Sequence, residues 1–205
     1  MHHLPSSAND DLPSPVSDDL WVFGYGSLMW RPGFDFLERV PARLVGLHRA
    51  LCVYSFVHRG TPERPGLVLG LDRGGACRGI AYRVAAPQRH ATIAYLRERE
   101  QVTNVYLESM RRIALASSPT QPSRCVNALV FLVDRSHPQY AGRLDLERQL
   151  HLIRQGHGRS GANRDYVLST VAEIEAQGCH DPALHHLAER LKAGHEPLQH
   201  AAHVG

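Results

Sequence analysis

A tyrosine flanked by two glycines follows the first apolar segment of the chain, residues 20–23. The stretch reads Gly24-Tyr25-Gly26-Ser27-Leu28. Glycines let a backbone bend sharply and come close to a ligand, and successive N–H groups in such a turn can hold an anion or a developing oxyanion. A plain turn at the end of a strand explains the same residues. A dinucleotide loop or a P-loop does not, because the third glycine and the lysine are missing.

Two glutamates, Glu98 and Glu100, lie near the end of a helix predicted over residues 87–101. Residues two apart face different sides of a helix, so one carboxylate can point into a pocket while the other stays in water. Burial raises the pKa of a carboxylate from about 4.3 toward neutrality, which suits a general base. A solvated helix face of arginines and glutamates is the alternative interpretation of this spacing.

Strands and helices that would position these residues can be predicted along the chain. A Gly74-Gly75 pair indicates a hairpin, and the helical pattern from residue 144 onward includes apolar residues of the segment 165–177 at helical spacing. Short strands, one helix inserted midway and helices at the end predict an α+β fold around a closed or highly curved sheet. The predicted strands are residues 20–23, 43–47 with 50–56, 67–71, 77–84, 106–115 and 124–133.

Composition excludes several classes of protein. The 205 residues carry a net charge of +3, and Lys192 is the single lysine among 23 basic residues. No basic run with interleaved aromatics is present, so a nucleic-acid partner is not expected. The longest apolar run, residues 128–133, is far below the ~20 residues that a membrane span needs. The first twenty residues lack a basic n-region and an apolar h-region, so we expect no secretory signal there.

Four widely spaced cysteines and a His-rich C-terminus bear on metals and compartment. The cysteines lack any Cys-x-x-Cys pair, which favours reduced thiols in a cytoplasm and argues against a zinc site. Residues 1–19 predict a disordered N-terminal arm and residues 193–205 a flexible His-rich tail, leaving one domain over 20–192. We expect no metal, and a solvated tail rather than a metal site at the histidines His180, His185, His186, His195, His200 and His203.

Several separated motifs, in one order, resemble the ChaC family of γ-glutamylcyclotransferases, specifically its glutathione-specific branch. The resemblance runs from about Trp21 to Leu191. It is carried by residues 22–32 (VFGYGSLMWRP), 58–66 (HRGTPERPG), 79–83 (GIAYR), Arg99-Glu100 followed by Thr103 and Tyr106, 127–131 (NALVF), Ser160-Gly161 and 163–166 (NRDY).

The resemblance implies a small closed mixed or antiparallel β-barrel with flanking helices and one catalytic glutamate, matched here by Glu100. It implies an enzyme that cyclises the γ-glutamyl group of glutathione to 5-oxoproline and releases Cys-Gly. We expect a cytoplasmic protein that is a monomer or weak dimer. The nucleophile is the substrate's own amine, so no cofactor is implied. The substrate-binding residues that it implies are Tyr25, Gly26, Ser27, Leu28, Tyr106 and Tyr166.

Some alternatives stay open at this point. The fold also suits a cyclotransferase acting on other γ-glutamyl amino acids or amines, or a non-catalytic regulatory binding module. Arg59 can pair with a substrate carboxylate or form a salt bridge within its loop, and Ser160 can line the pocket edge. Asn104 replaces a glycine that family members often carry, and asparagine can adopt the positive φ that such a turn needs.

Overall fold

A computed structural model describes residues 18–100, 104–117 and 122–193 of the chain. The predicted N-terminal arm and His-rich tail therefore lie almost wholly outside the described residues, as does Thr103. The strands are β1 (Leu20–Gly24), β2 (Glu38–Ser55), β3 (Gly66–Val84), β4 (Tyr106–Leu115), β5 (Arg124–Val133), β6 (His157–Gly158) and β7 (Gly161–Ala162). The α-helices are α1 (Arg89–Glu100), α2 (Leu146–Gln155), α3 (Asn163–Ala176) and α4 (Pro182–Ala193).

Within this part of the chain, five strands close a barrel in the order β1-β3-β2-β4-β5. The pairing of β1 with β5 is parallel and completes the closure, while the other neighbours are antiparallel. The barrel is therefore mixed, and α1 to α4 flank it. The predicted α+β fold with a closed barrel is confirmed.

The strand β1 is buried on both faces, which explains its continuous apolar sequence. Trp21 and Phe23 belong to the large core that includes residues of α2, α3 and α4. Leu20 and Val22, on the opposite face because side chains alternate along a strand, belong to a second core with Leu96 of α1. β1 thus packs against both cores, and this fixes the position of the loop that follows it.

The predicted hairpin at Gly74-Gly75 is wrong. Both residues lie inside β3, which pairs with β2 as one long ribbon from Glu38↔Arg83 to Ser55↔Gly66. Their positive φ angles, 99° and 64°, accommodate a bulge where the register shifts between Val45 and Leu47. The glycine pair does mark a left-handed backbone, but that backbone bends the ribbon and does not end it.

Candidate active site

One pocket brings together all seven residues that the family resemblance assigns to the site. The loop after β1, the last residue of α1, the first residue of β4 and one residue of α3 meet there. The pocket is lined by Tyr25, Gly26, Ser27, Leu28, Leu69, Glu100, Tyr106 and Tyr166. The elements that carry these residues are distant in sequence, so the barrel and its helices create the pocket.

The loop after β1 is held from behind by the barrel. The guanidinium of Arg49 on β2 donates from Nε to the carbonyl oxygen of Tyr25 at 2.5 Å. The hydroxyl of Tyr82 on β3 lies 3.0 Å from the Leu28 carbonyl oxygen and 2.8 Å from that of Met29. Because a trans peptide points its C=O and its N–H in opposite directions, binding the Tyr25 carbonyl also fixes the direction of the Gly26 N–H.

Two tyrosines of the pocket are anchored to the backbone of Leu69 in β3. The hydroxyl of Tyr106 donates to the Leu69 carbonyl oxygen at 2.7 Å. The hydroxyl of Tyr166 accepts from the Leu69 N–H at 3.3 Å. Burial raises the pKa of Tyr106 well above its usual value and raises that of Tyr166. Both phenols therefore stay neutral and act as hydrogen-bonding groups.

Glu100 is the carboxylate of the pocket. Burial raises its pKa from the ordinary 4.5, while the neighbouring Arg99 acts in the opposite direction. The side chain is 20% exposed, so it is desolvated and yet reachable from the pocket. Glu98 is exposed on the same helix. The spacing in the sequence allows either Glu98 or Glu100 to point inward. In the structure Glu100 lines the pocket.

Asn104, two residues before β4, has the backbone conformation that the sequence predicts for it. Its φ is +55°, in the left-handed region that asparagine tolerates better than most other residues. This turn brings the chain into β4, so that Tyr106 is the first residue of the strand. The prediction for Asn104 is confirmed.

Arg59 and Ser160 do not line the pocket but support one of its walls. The guanidinium of Arg59 donates to the Ser160 carbonyl oxygen and lies over the Tyr166 ring, 5.1 Å from its centroid. Arg59 therefore holds the turn between β6 and β7 and packs on Tyr166 of α3. This is not the salt bridge within its loop that the sequence allowed, and pairing with a substrate carboxylate stays a prediction.

The sequence patterns assign no role to Arg49, Arg99 or Leu69. Arg49 occupies an inward position of β2 between Leu47 and Leu51, and a charged residue at such a position is a signal that a sequence search can find. Arg99 directly precedes Glu100, and a guanidinium next to a candidate base is a second signal that a sequence search can find. Leu69 contributes through its backbone, for which residue type gives no signal.

A metal does not fit this pocket. Its lining in the described part of the chain holds one carboxylate and no imidazole or thiol, which are the ligands that zinc and its neighbours prefer. Elsewhere, Glu175, His180 and His185 place ligand atoms within 4.8 Å of one another, and all three are exposed. Within that group His185 Nδ1 and Glu175 Oε1 share a hydrogen bond of 2.7 Å.

The barrel and its flanking helices have the fold of γ-glutamylcyclotransferase structures. The crystal structure of a gamma-glutamyl cyclotransferase specific to glutathione from yeast superposes with a TM-score of 0.74 at 20% identity, covering 87% of this chain and all of that one. A selenomethionine-labelled crystal structure of the yeast protein gives 0.71 at 22% identity, covering 85% and 96%.

The sequence identifies the family more narrowly. The model of the family described as ChaC-like protein matches residues 20–194, so this chain belongs to the ChaC-like family. The glutathione-specific gamma-glutamylcyclotransferase of Escherichia coli is 35% identical over 178 residues, covering 87% of this chain and 75% of that protein. Glutathione-specific gamma-glutamylcyclotransferase 1 of Danio rerio is 33% identical over 189 residues, covering 89% and 94%. The resemblance seen in the motifs is confirmed.

No helix among the described residues is long and apolar enough to span a membrane.

Proposed function

We propose that this protein is a glutathione-specific γ-glutamylcyclotransferase with Glu100 as its general acid and base. The observation that carries the proposal is the desolvated carboxyl of Glu100, with its raised pKa, in one pocket with the Tyr25–Leu28 loop. Glutathione is the proposed substrate because the E. coli and Danio rerio relatives are named for it.

The reaction closes a ring within the substrate. The α-amine of the γ-glutamyl residue attacks its own side-chain carbonyl carbon, which forms a C–N bond and a tetrahedral intermediate. Collapse of the intermediate breaks the bond to the cysteine nitrogen, giving 5-oxoproline and Cys-Gly. The pocket must fold the substrate so that amine and carbonyl carbon come within attack distance, and such positioning supplies a large part of a rate enhancement.

Glu100 suits both proton transfers of this reaction. Its carboxylate takes a proton from the substrate ammonium and so frees the attacking amine. The acid then returns that proton to the departing cysteine nitrogen. The ring nitrogen gives up its second proton to the released amine, so the products are the amide N–H of 5-oxoproline and the ammonium of Cys-Gly. The raised pKa brings the group closer to neutral pH, where one residue serves well as both base and acid.

The loop after β1 is proposed to hold the oxyanion. The Tyr25 carbonyl is bound by Arg49 at 2.5 Å, so the Gly26 N–H is directed away from Arg49. Gly26 itself lines the pocket. A donor fixed before the reaction begins stabilises developing charge without a reorganisation cost.

The cysteines bear on the cellular compartment in which the reaction would take place. The cysteines Cys52, Cys77, Cys125 and Cys179 are all free thiols, which supports a reducing cytoplasm, where glutathione is the expected small-molecule partner. We propose a monomer or weak dimer that acts without nucleic acid, metal or cofactor.

The direct test is incubation of the purified protein with reduced glutathione and, separately, with γ-Glu-Ala, followed by mass-spectrometric detection of 5-oxoproline and Cys-Gly. We expect 5-oxoproline and Cys-Gly in equal amounts from glutathione and little 5-oxoproline from γ-Glu-Ala. Turnover of γ-Glu-Ala alone would instead support the broader cyclotransferase. Turnover of neither would support a binding module.

A further inference from the structure

One guanidinium, that of Arg99, joins the end of α1 to the loops around the pocket. Its Nη2 donates to the Ser27 Oγ at 2.9 Å. Its Nη1 donates to the carbonyl oxygens of Arg31 at 2.6 Å and Pro32 at 3.2 Å, and to the Tyr95 hydroxyl at 2.9 Å. Four hydrogen bonds from one side chain, which is 23% exposed, fix it in place.

The same side chain reaches the proposed acid and base. Arg99 Nε lies 3.2 Å from Glu100 Oε1. Glu100 is the last residue of α1, and helix ends fray unless something outside the helix binds them. Arg99 provides that attachment one residue before the carboxylate, on the side where the Ser27 loop lies.

In the hydrogen bond between Arg99 and Ser27, Arg99 is the donor. Guanidinium nitrogens only donate, so the Ser27 oxygen must accept from Arg99. The Ser27 hydroxyl proton is then free to be donated, and Ser27 lines the pocket. A glutathione molecule carries two carboxylates that can accept it.

We propose that Arg99 is a positioning residue, whose guanidinium aligns the Glu100 carboxylate and orients the Ser27 hydroxyl as a donor toward the substrate. This inference rests on the proposed function. It adds a role for a residue that does not itself line the pocket.

The charged and titratable groups around Glu100 determine how the loss of Arg99 would change the pKa of Glu100. Besides Arg99, the titratable groups among the described residues that line the pocket with Glu100 are the phenols of Tyr25, Tyr106 and Tyr166, from the loop after β1, from β4 and from α3. Burial raises the pKa of all three, so they remain neutral across the neutral range. Arg99 is the group that lowers the pKa of Glu100. Removing its charge therefore raises that pKa.

The experiment compares Arg99→Gln with Arg97→Gln. Arg97 lies two residues earlier on α1, where it is exposed and paired with Glu108 through Nε at 2.6 Å. For Arg99→Gln we expect kcat/KM for glutathione to fall roughly 10- to 100-fold, mainly through kcat. We also expect the acidic limb of its pH profile to move to higher pH. Arg97→Gln should stay within about twofold of the wild type with an unmoved limb, because exposed ion pairs contribute little.

Arg99→Lys separates charge from geometry. It keeps the cation, so the acidic limb should stay at the wild-type pH, but it loses the planar fork, so kcat should fall by about tenfold. The proposal is overturned if the acidic limb of Arg99→Gln does not move. If that variant does not fold, wild-type kcat in Arg99→Lys overturns it. A wild-type protein that does not turn over glutathione contradicts the proposed function instead.

Discussion

Gly33 and Tyr95 are so closely packed that a Cβ on Gly33 would overlap the Tyr95 hydroxyl. Gly33 also has a φ of +76°, so its turn needs glycine for two separate reasons. The turn holds Arg31 and Pro32, whose carbonyls bind Arg99, and Tyr95 binds Arg99 as well. The close packing of Gly33 against Tyr95 therefore helps to hold Arg99, and through it the pocket, in place.

Gly33→Ala should accordingly destabilise the protein and lower its activity. The methyl group must push Tyr95 away, and with it the hydrogen bond to Arg99. We expect the free energy of unfolding to fall by about 2–3 kcal/mol, measured by urea unfolding, together with a loss in kcat/KM.

Gly46→Ala is the matched control. Gly46 also has a positive φ, +88°, but nothing lies within 4 Å of its Cβ position. Backbone strain alone should cost about 1 kcal/mol and leave kcat/KM unchanged. An equal loss of stability and of activity in the two variants would contradict the role assigned to the Gly33–Tyr95 contact.

Arg49 also supports the site, because it binds the Tyr25 carbonyl in the loop after β1. Its side chain is 3% exposed, and Nη1 lies 3.7 Å from Asp181 Oδ2, while Nη2 donates to the Arg78 carbonyl oxygen at 2.8 Å. Arg49→Met leaves these acceptors and the Tyr25 carbonyl without their donor. We expect about 3 kcal/mol less unfolding free energy, measured by urea unfolding, and a reduced kcat.

Arg43 serves as the control for Arg49 on the same strand. It is exposed, so Arg43→Met should change stability by no more than about 0.5 kcal/mol. A loss in Arg49→Met no larger than this would mean that the buried guanidinium is not needed to hold the loop.

The buried carboxyl of Glu100 should also lower the stability of the protein at neutral pH. Because its pKa is raised on folding, the folded state binds the proton more tightly than the unfolded chain. The free energy of unfolding therefore falls as pH rises above the unfolded-state value and up through the folded-state pKa. Glu100→Gln removes the charge and keeps the shape, so we expect a higher Tm than wild type at about pH 8.

This gain should shrink as the pH is lowered toward 4.5, the ordinary pKa of a glutamate, because the raised pKa leaves the wild-type carboxyl increasingly protonated. Glu98→Gln, at an exposed position of the same helix, should leave the dependence of Tm on pH nearly unchanged. A Tm for Glu100→Gln below that of the wild type at about pH 8 would contradict a desolvated carboxyl.

Local patterns in the sequence predicted most of the fold. The strands at 106–115 and 124–133 match β4 and β5, because each is a short segment bounded by turn residues. The Gly74-Gly75 pair was misinterpreted, since a left-handed glycine serves a bulge as well as a turn. Which use applies depends on the pairing of β3 with β2, which involves residues far away in the chain.

The site was predictable to a similar extent. The family motifs point to Glu100 and to the loop at Tyr25, but spacing alone did not separate Glu100 from Glu98. The supporting contacts of Arg49 and Leu69 join residues tens of positions apart, at 24 and 37 positions for Arg49–Tyr25 and Tyr106–Leu69. Such contacts follow from barrel closure and have no local signature.

The central claim, that Glu100 transfers the protons of the cyclisation, is tested most directly by the rate of 5-oxoproline formation from glutathione. The wild type, Glu100→Gln and Glu98→Gln are compared at the same pH. We expect a loss of roughly 10²–10⁴-fold or more in kcat for Glu100→Gln and near wild-type turnover for Glu98→Gln. Full turnover by a folded Glu100→Gln protein would contradict it.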